Sequence, residues 1–173
     1  MNENKELLKY DRENQPTTVF RGDENLTSKL HATAQLIKDF QIALDNGRSH
    51  RVIVDQPAGT GTDLGPTPLE LCVMSHAGCY VAIMVFAAKK MRIALKGVTV
   101  KATAFKSEET GTIAEEAFDV VIKTDAPQDR AQRLHEVTLK NCPVDIILEK
   151  AGVKVSYNIK VSRELVRSGK TNE

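Results

Sequence analysis

Hydrophobic and polar positions alternate over short stretches toward both ends of this chain and give way to one long apolar run in its middle. Phe40-Gln41-Ile42-Ala43-Leu44 and Arg51-Val52-Ile53-Val54 are β-prone runs on either side of Asp45-Asn46-Gly47, which predicts a hairpin. The segment Pro57 to Pro68 is a loop by its glycine, threonine and proline content. Pro68 suits the first turn of a helix, with Thr67 as its N-cap. From there the apolar run extends to about Met91 and predicts a long helix, whose end carries Lys89, Lys90 and Arg92 against the negative end of the dipole.

Beyond it, Val98 to Phe105 and Ala117 to Lys123 read as two strands joined by a turn at Glu108 to Gly111, a second hairpin. Pro127 opens an amphipathic helix with Ala131, Leu134, Val137 and Leu139 as its apolar stripe, stopping near Asn141. A short helix follows Pro143, Gly152 ends it, and Val153 to Val161 alternates as a last strand. Strands grouped around a central helix and joined by hairpins predict an α+β domain with a mostly antiparallel sheet and a buried central helix. The expected domain covers residues 29–163, between a polar arm over residues 1–28, ordered by packing on a partner if at all, and a charged tail over residues 164–173.

Leu71 to Ala88 is apolar apart from Ser75, His76 and Gly78, and only just reaches the length of a membrane span. A core helix is the better reading, because soluble-type strands and an amphipathic helix flank it, so no membrane partner is expected. With 24 basic residues against 23 acidic ones and 5% aromatics, the chain has neither the positive field nor the stacking platforms that nucleic acid requires. Three cysteines, an odd number, and a start (MNENKELLKYDRENQ) with no apolar signal core point to a reducing, cytoplasmic setting.

Those cysteines are the candidate chemistry. Cys79 lies about ten residues inside its helix, beyond the reach of the dipole, so any activation must come from neighbours. His76, three residues earlier and about 60° away around the axis, can hydrogen-bond the thiol or be a satisfied buried histidine. Cys142, in Asn141-Cys142-Pro143, sits at a helix start where the dipole favours a thiolate, although a buried cysteine can also be a small hydrophobe. Cys72 is two turns before Cys79, about 10 Å along the axis, which forbids a disulfide between them and leaves core packing. No histidine makes a metal spacing with a cysteine. Gly59 and Gly61 begin a G-x-G-x-x-G pattern, but Leu64 takes the last glycine's place, so the phosphate-cradle signal is weak.

Taken together, Gly65-Pro66-Thr67-Pro68-Leu69-Glu70-Leu71, Ser75-His76-Ala77-Gly78-Cys79 and Asn141-Cys142-Pro143-Val144 resemble the OsmC/Ohr family of osmotically induced and organic hydroperoxide resistance proteins. Their order, the separation of 63 positions from Cys79 to Cys142, and the closing strand extend the resemblance over Lys29 to Val161. It implies an OsmC-like fold in an intertwined homodimer, a cysteine pair at the subunit interface, and no metal or organic cofactor. It implies further that Cys79 reduces a hydroperoxide, becomes a sulfenic acid and condenses with Cys142, and that a dithiol, lipoyl-type in the hydroperoxide-resistance branch, reduces the disulfide. The apolar helix around the thiol suits an organic hydroperoxide.

One position departs from the family pattern. Well-studied members carry a Glu ten residues before the reactive cysteine, where this chain has Leu69, with Glu70 one place on and about 180° from Cys79 around a regular helix. The family's arginine comes from the strand region before the loop, where Arg51 and Arg48 stand. The catalytic candidates are thus Cys79, Cys142, His76, Arg51 and Glu70. The departure keeps open a second reading, a redox-sensing or apolar-ligand-binding module of the same fold.

Overall fold

The computed structural model describes residues 30–162, so the expected arm and tail lie outside the described residues. Two three-stranded sheets and three helices make an α+β fold. The first sheet is an antiparallel meander of β1 (Thr33–Lys38), β2 (Gln41–Asp45) and β3 (Arg51–Val54). It contains the expected hairpin, with β1 added on β2 across the left-handed Asp39.

The loop after β3 is organised by one buried carboxylate. Asp55 accepts from Gln56 N at 2.7 Å, Thr62 N at 3.1 Å, Thr62 Oγ1 at 2.6 Å and Leu64 N at 3.2 Å. Those bonds, Thr62 foremost, hold its carboxyl below the usual aspartate range. They also account for the glycine pattern: the N–H groups a phosphate would need are turned onto Asp55, and a Cβ at Gly61 would lie 2.5 Å from its Oδ1. The chain passes closer still at Gly65, whose missing Cβ leaves room for Ile53 O.

Helix α1 (Pro68–Met91) opens on the expected N-cap, Thr67, with Pro68 in its first turn. Glu70 completes a capping box, its Oε2 accepting from Thr67 N at 2.7 Å while Thr67 Oγ1 accepts from Glu70 N at 3.2 Å. A left-handed Arg92 ends the helix. The expectation that α1 is buried holds for one stripe only. His76, Tyr80, Met84, Ala87 and Ala88, at successive intervals of four, four, three and one, pack inward, while Met74, Gly78, Ala82, Val85 and Phe86 form an open stripe. The run is apolar on both sides, and a single chain has a sheet for one of them.

That sheet pairs β4 (Leu95–Lys106) antiparallel with β5 (Ile113–Thr124), and β5 parallel with β6 (Lys154–Ser162). The parallel pair needs a crossover, supplied by α2 (Gln128–Asn141) and α3 (Pro143–Lys150). Three of the four strand pairings are antiparallel, as expected of the sheet overall. Phe118, Val120 and Ile122 on the inward phase of β5 meet Tyr80 and Met84 of α1, Leu134 of α2 and Cys142 in one core.

Candidate active site

The crossover brings the second cysteine to the first. Cys142 is the C-cap of α2 and the N-cap of α3 and is fully buried in the core against which Cys79, partly buried on α1, also packs. Both are free thiols. Burial pushes the Cys142 thiol up to about 11, reinforced by Cys79 and by the charge of Asp145, while the Asp145 backbone N–H pulls the other way. The expectation that a helix start would make Cys142 a ready thiolate is therefore corrected: one N–H and a dipole do not offset full desolvation. Cys142 keeps its proton at neutral pH.

His76 does not meet that thiol with its ring nitrogens. It is buried, with Nδ1 at 2.5 Å from Glu116 Oε2 and Nε2 at 3.2 Å from Asp145 Oδ1. Of the two readings of His76, the structure favours a satisfied buried histidine, held between two carboxylates. Tyr157 O–H donates to the same Asp145 Oδ1 at 2.5 Å and lies 3.5 Å from His76 Nε2. A second pair, Tyr80 Oη and His135 Nδ1 at 2.7 Å, sits alongside. Burial lowers the His135 pKa and raises those of both tyrosines, so this cluster keeps neutral phenols and a neutral imidazole. The rings pack on one another, Tyr80 stacked on Tyr157 at 5.4 Å and His76 tilted on Phe118 at 4.6 Å.

The other candidates lie elsewhere. Arg51 Nε bonds Asp45 Oδ2 at 2.8 Å on the exposed β2–β3 hairpin, and with Arg48 it lines a surface groove to which neither cysteine contributes. Glu70 is committed to the capping box at the start of α1. Within one chain neither Arg51 nor Glu70 joins the cysteine pair, and each has a local partner. Cys72 is partly buried on α1.

Glu116, Asp145, Tyr157, Tyr80 and His135 were not singled out by sequence reasoning. Only Glu116 left a signal there. It falls in phase with Phe118, Val120 and Ile122 on an alternating strand, so it faces the core as a carboxylate that must have a partner. Asp145 in the first turn of α3 passes for an ordinary dipole-complementing acid.

With this geometry in place, the comparisons with known proteins are specific. The family model for OsmC-like protein matches residues 59–158, which include both cysteines and the whole buried network. The crystal structure of an OsmC like protein from Mycoplasma pneumoniae superposes with a TM-score of 0.71 at 18% identity, covering 79% of this chain and 99% of that one. An organic hydroperoxide resistance protein from Elizabethkingia anophelis gives 0.63 at 21% identity, covering 80% of this chain and 99% of the other. The organic hydroperoxide resistance protein OhrB of Bacillus subtilis gives 0.56 at 22%, covering 77% and 98%. No curated protein matches the sequence. At these identities the neighbours establish the fold and the family model establishes kinship: the chain belongs to the OsmC-like protein family.

Proposed function

We propose that this protein is a thiol-dependent peroxidase that reduces organic hydroperoxides through Cys79 and Cys142. The observation that carries the reading is the pair itself, a partly buried thiol packed against the core that holds a fully buried one, which keeps its proton. Such a pair divides the labour. The Cys79 sulfur attacks the peroxide, an S–O bond forms as the O–O bond breaks, and the alkoxide leaves as the alcohol after taking a proton. Cys142 then attacks the Cys79 sulfenic acid, giving a disulfide and water. A small dithiol, of which a lipoyl-type compound is one case, returns both sulfurs to thiols by exchange. Apolar neighbours on α1, Ile83 and Ala87 among them, favour an alkyl hydroperoxide over hydrogen peroxide.

The working unit in this reading is a homodimer. Met74, Val85 and Phe86 on the open stripe of α1 are 57%, 37% and 68% exposed, and apolar surface of that kind on a helix already docked to a sheet calls for a second copy. The helix has the length and composition of a membrane span, but its other stripe is packed against β4, α2 and α3, which leaves no way for lipid to surround it.

The test is turnover. Purified protein with a dithiol donor should consume cumene hydroperoxide, and Cys79→Ser should abolish this; a Cys79→Ser variant that retains the rate contradicts the assignment. The second reading, redox sensing or apolar-ligand binding without turnover, draws on the engagement of Arg51 by Asp45 and of Glu70 by Thr67.

A further inference from the structure

A groove of about 320 Å³ runs between α1 and α2, lined by Ile83, Phe86, Ala87 and Lys90 from the first and by Val137 and Asn141 from the second. The two helices are antiparallel: Arg130 near the start of α2 donates to Met91 O at the end of α1, while His135 farther along meets Tyr80. The Asn141 end of the groove therefore adjoins Cys142, and the Lys90 end lies away from the cysteines. Cys79, Ile83 and Val137 pack against the same core that holds Cys142. Helical geometry sets the same order on α1. At about 100° per residue, Ile83, Phe86 and Lys90 fall within about 40° of Cys79 around the axis, so thiol, apolar floor and ammonium share one line along the helix. The rise from Cys79 to Lys90 is about 16 Å, and the lysine stem leans back toward the N-terminus and shortens that gap.

Lys90 is the one charged residue lining the groove, and it has no counter-ion. Among the described residues no carboxylate lies within ion-pair distance of it, whereas Lys96 is bound by Asp125 at 2.7 Å and Lys154 by Glu115 at 3.2 Å. Glu136, beside Val137 on α2, is taken by Arg133 at 3.0 Å. The negative end of the helix dipole explains a cation in the last turn but not this placement. Lys89 serves the dipole as well and lies about 80° around the axis from Cys79 on the other side, outside the groove. An apolar trough with a reactive sulfur at one end and an uncompensated cation at the other is complementary to an alkyl chain with a hydroperoxide at one end and an anion at the other.

We propose that Lys90 is a specificity-determining residue, whose ammonium holds the acidic end of an elongated hydroperoxide lying in this groove with its peroxide at Cys79. The inference rests on the peroxidase reading above and narrows its substrate class to hydroperoxides of medium-length carboxylic acids, taken in preference to neutral ones. Lys90 meets the far end of the substrate and has no part in breaking the O–O bond. Its contribution is therefore to binding and not to the chemical step.

Turnover with a dithiol donor tests this on three hydroperoxides: undecanoic acid carrying the hydroperoxide at its far end, the methyl ester of that acid, and the hexanoic acid analogue, which is too short to span the groove. Unsubstituted protein should show a KM about five-fold lower for the long acid than for its ester at equal kcat, the worth of one partly exposed ion pair. Lys90→Gln should remove that difference by raising KM for the long acid alone, and Lys89→Gln should leave it in place. KM for the hexanoic acid should be the same in unsubstituted protein and Lys90→Gln. Equal KM values for the long acid and its ester in unsubstituted protein overturn the proposal and leave the peroxidase reading standing. So does a preference that survives Lys90→Gln, or a loss that Lys89→Gln or the hexanoic acid shares. Failure to consume any of the three, or cumene hydroperoxide, overturns the peroxidase reading and the proposal with it.

Discussion

At the scale of single residues, the two cysteines differ in what surrounds them more than in where they fall in a helix. Cys142 stands at a helix start and Cys79 mid-helix, yet burial makes Cys142 the weaker acid than a free thiol, pushed up to about 11. A thiol whose folded pKa lies above its unfolded value binds its proton more tightly in the folded state. It therefore contributes stability at neutral pH that is lost as pH rises from about 9 toward about 11. Melting temperature followed over that range should fall more steeply in unsubstituted protein than in Cys142→Ala; parallel curves would argue against the assignment. The sequence shows that Cys142 precedes Pro143, but not that Leu134, Tyr80 and Phe118 close over it. Likewise His76 was legible as a neighbour of Cys79, whereas its carboxylates were not: Glu116 is 40 residues away and reaches it only because β5 faces α1.

Among the elements, local signals carried well. Thr67 and Pro68 mark the start of α1, Pro143 that of α3 and Gly152 its end, because caps and turns are decided by a few adjacent residues. The parallel pairing of β5 with β6 was not legible, since alternation gives a strand its two faces and not its partner. Glu70 belongs at this scale too. Its carboxylate closes the capping box, so Glu70→Ala should lower the urea midpoint slightly and leave hydroperoxide turnover intact. Loss of turnover with unchanged stability would return Glu70 to the catalytic group.

For the molecule as a whole, the apolarity of α1 is what the sequence announced most loudly and resolved least. A helix apolar all round reads as buried, and the chain buries the stripe of His76, Tyr80 and Met84 while leaving Met74 and Phe86 open. Sedimentation should find the unsubstituted protein as a dimer and Phe86→Glu shifted toward monomer, since a charge on that stripe opposes its burial. A monomer in both cases would leave the open stripe without the occupant proposed for it.

The claim at the centre of this account is that Cys79 and Cys142 act as one redox pair. Mass spectrometry of the protein after treatment with a stoichiometric organic hydroperoxide tests it most directly. The account predicts a Cys79 to Cys142 disulfide with Cys72 remaining a free thiol. A disulfide through Cys72, or oxidation that leaves Cys79 and Cys142 unlinked, would contradict it.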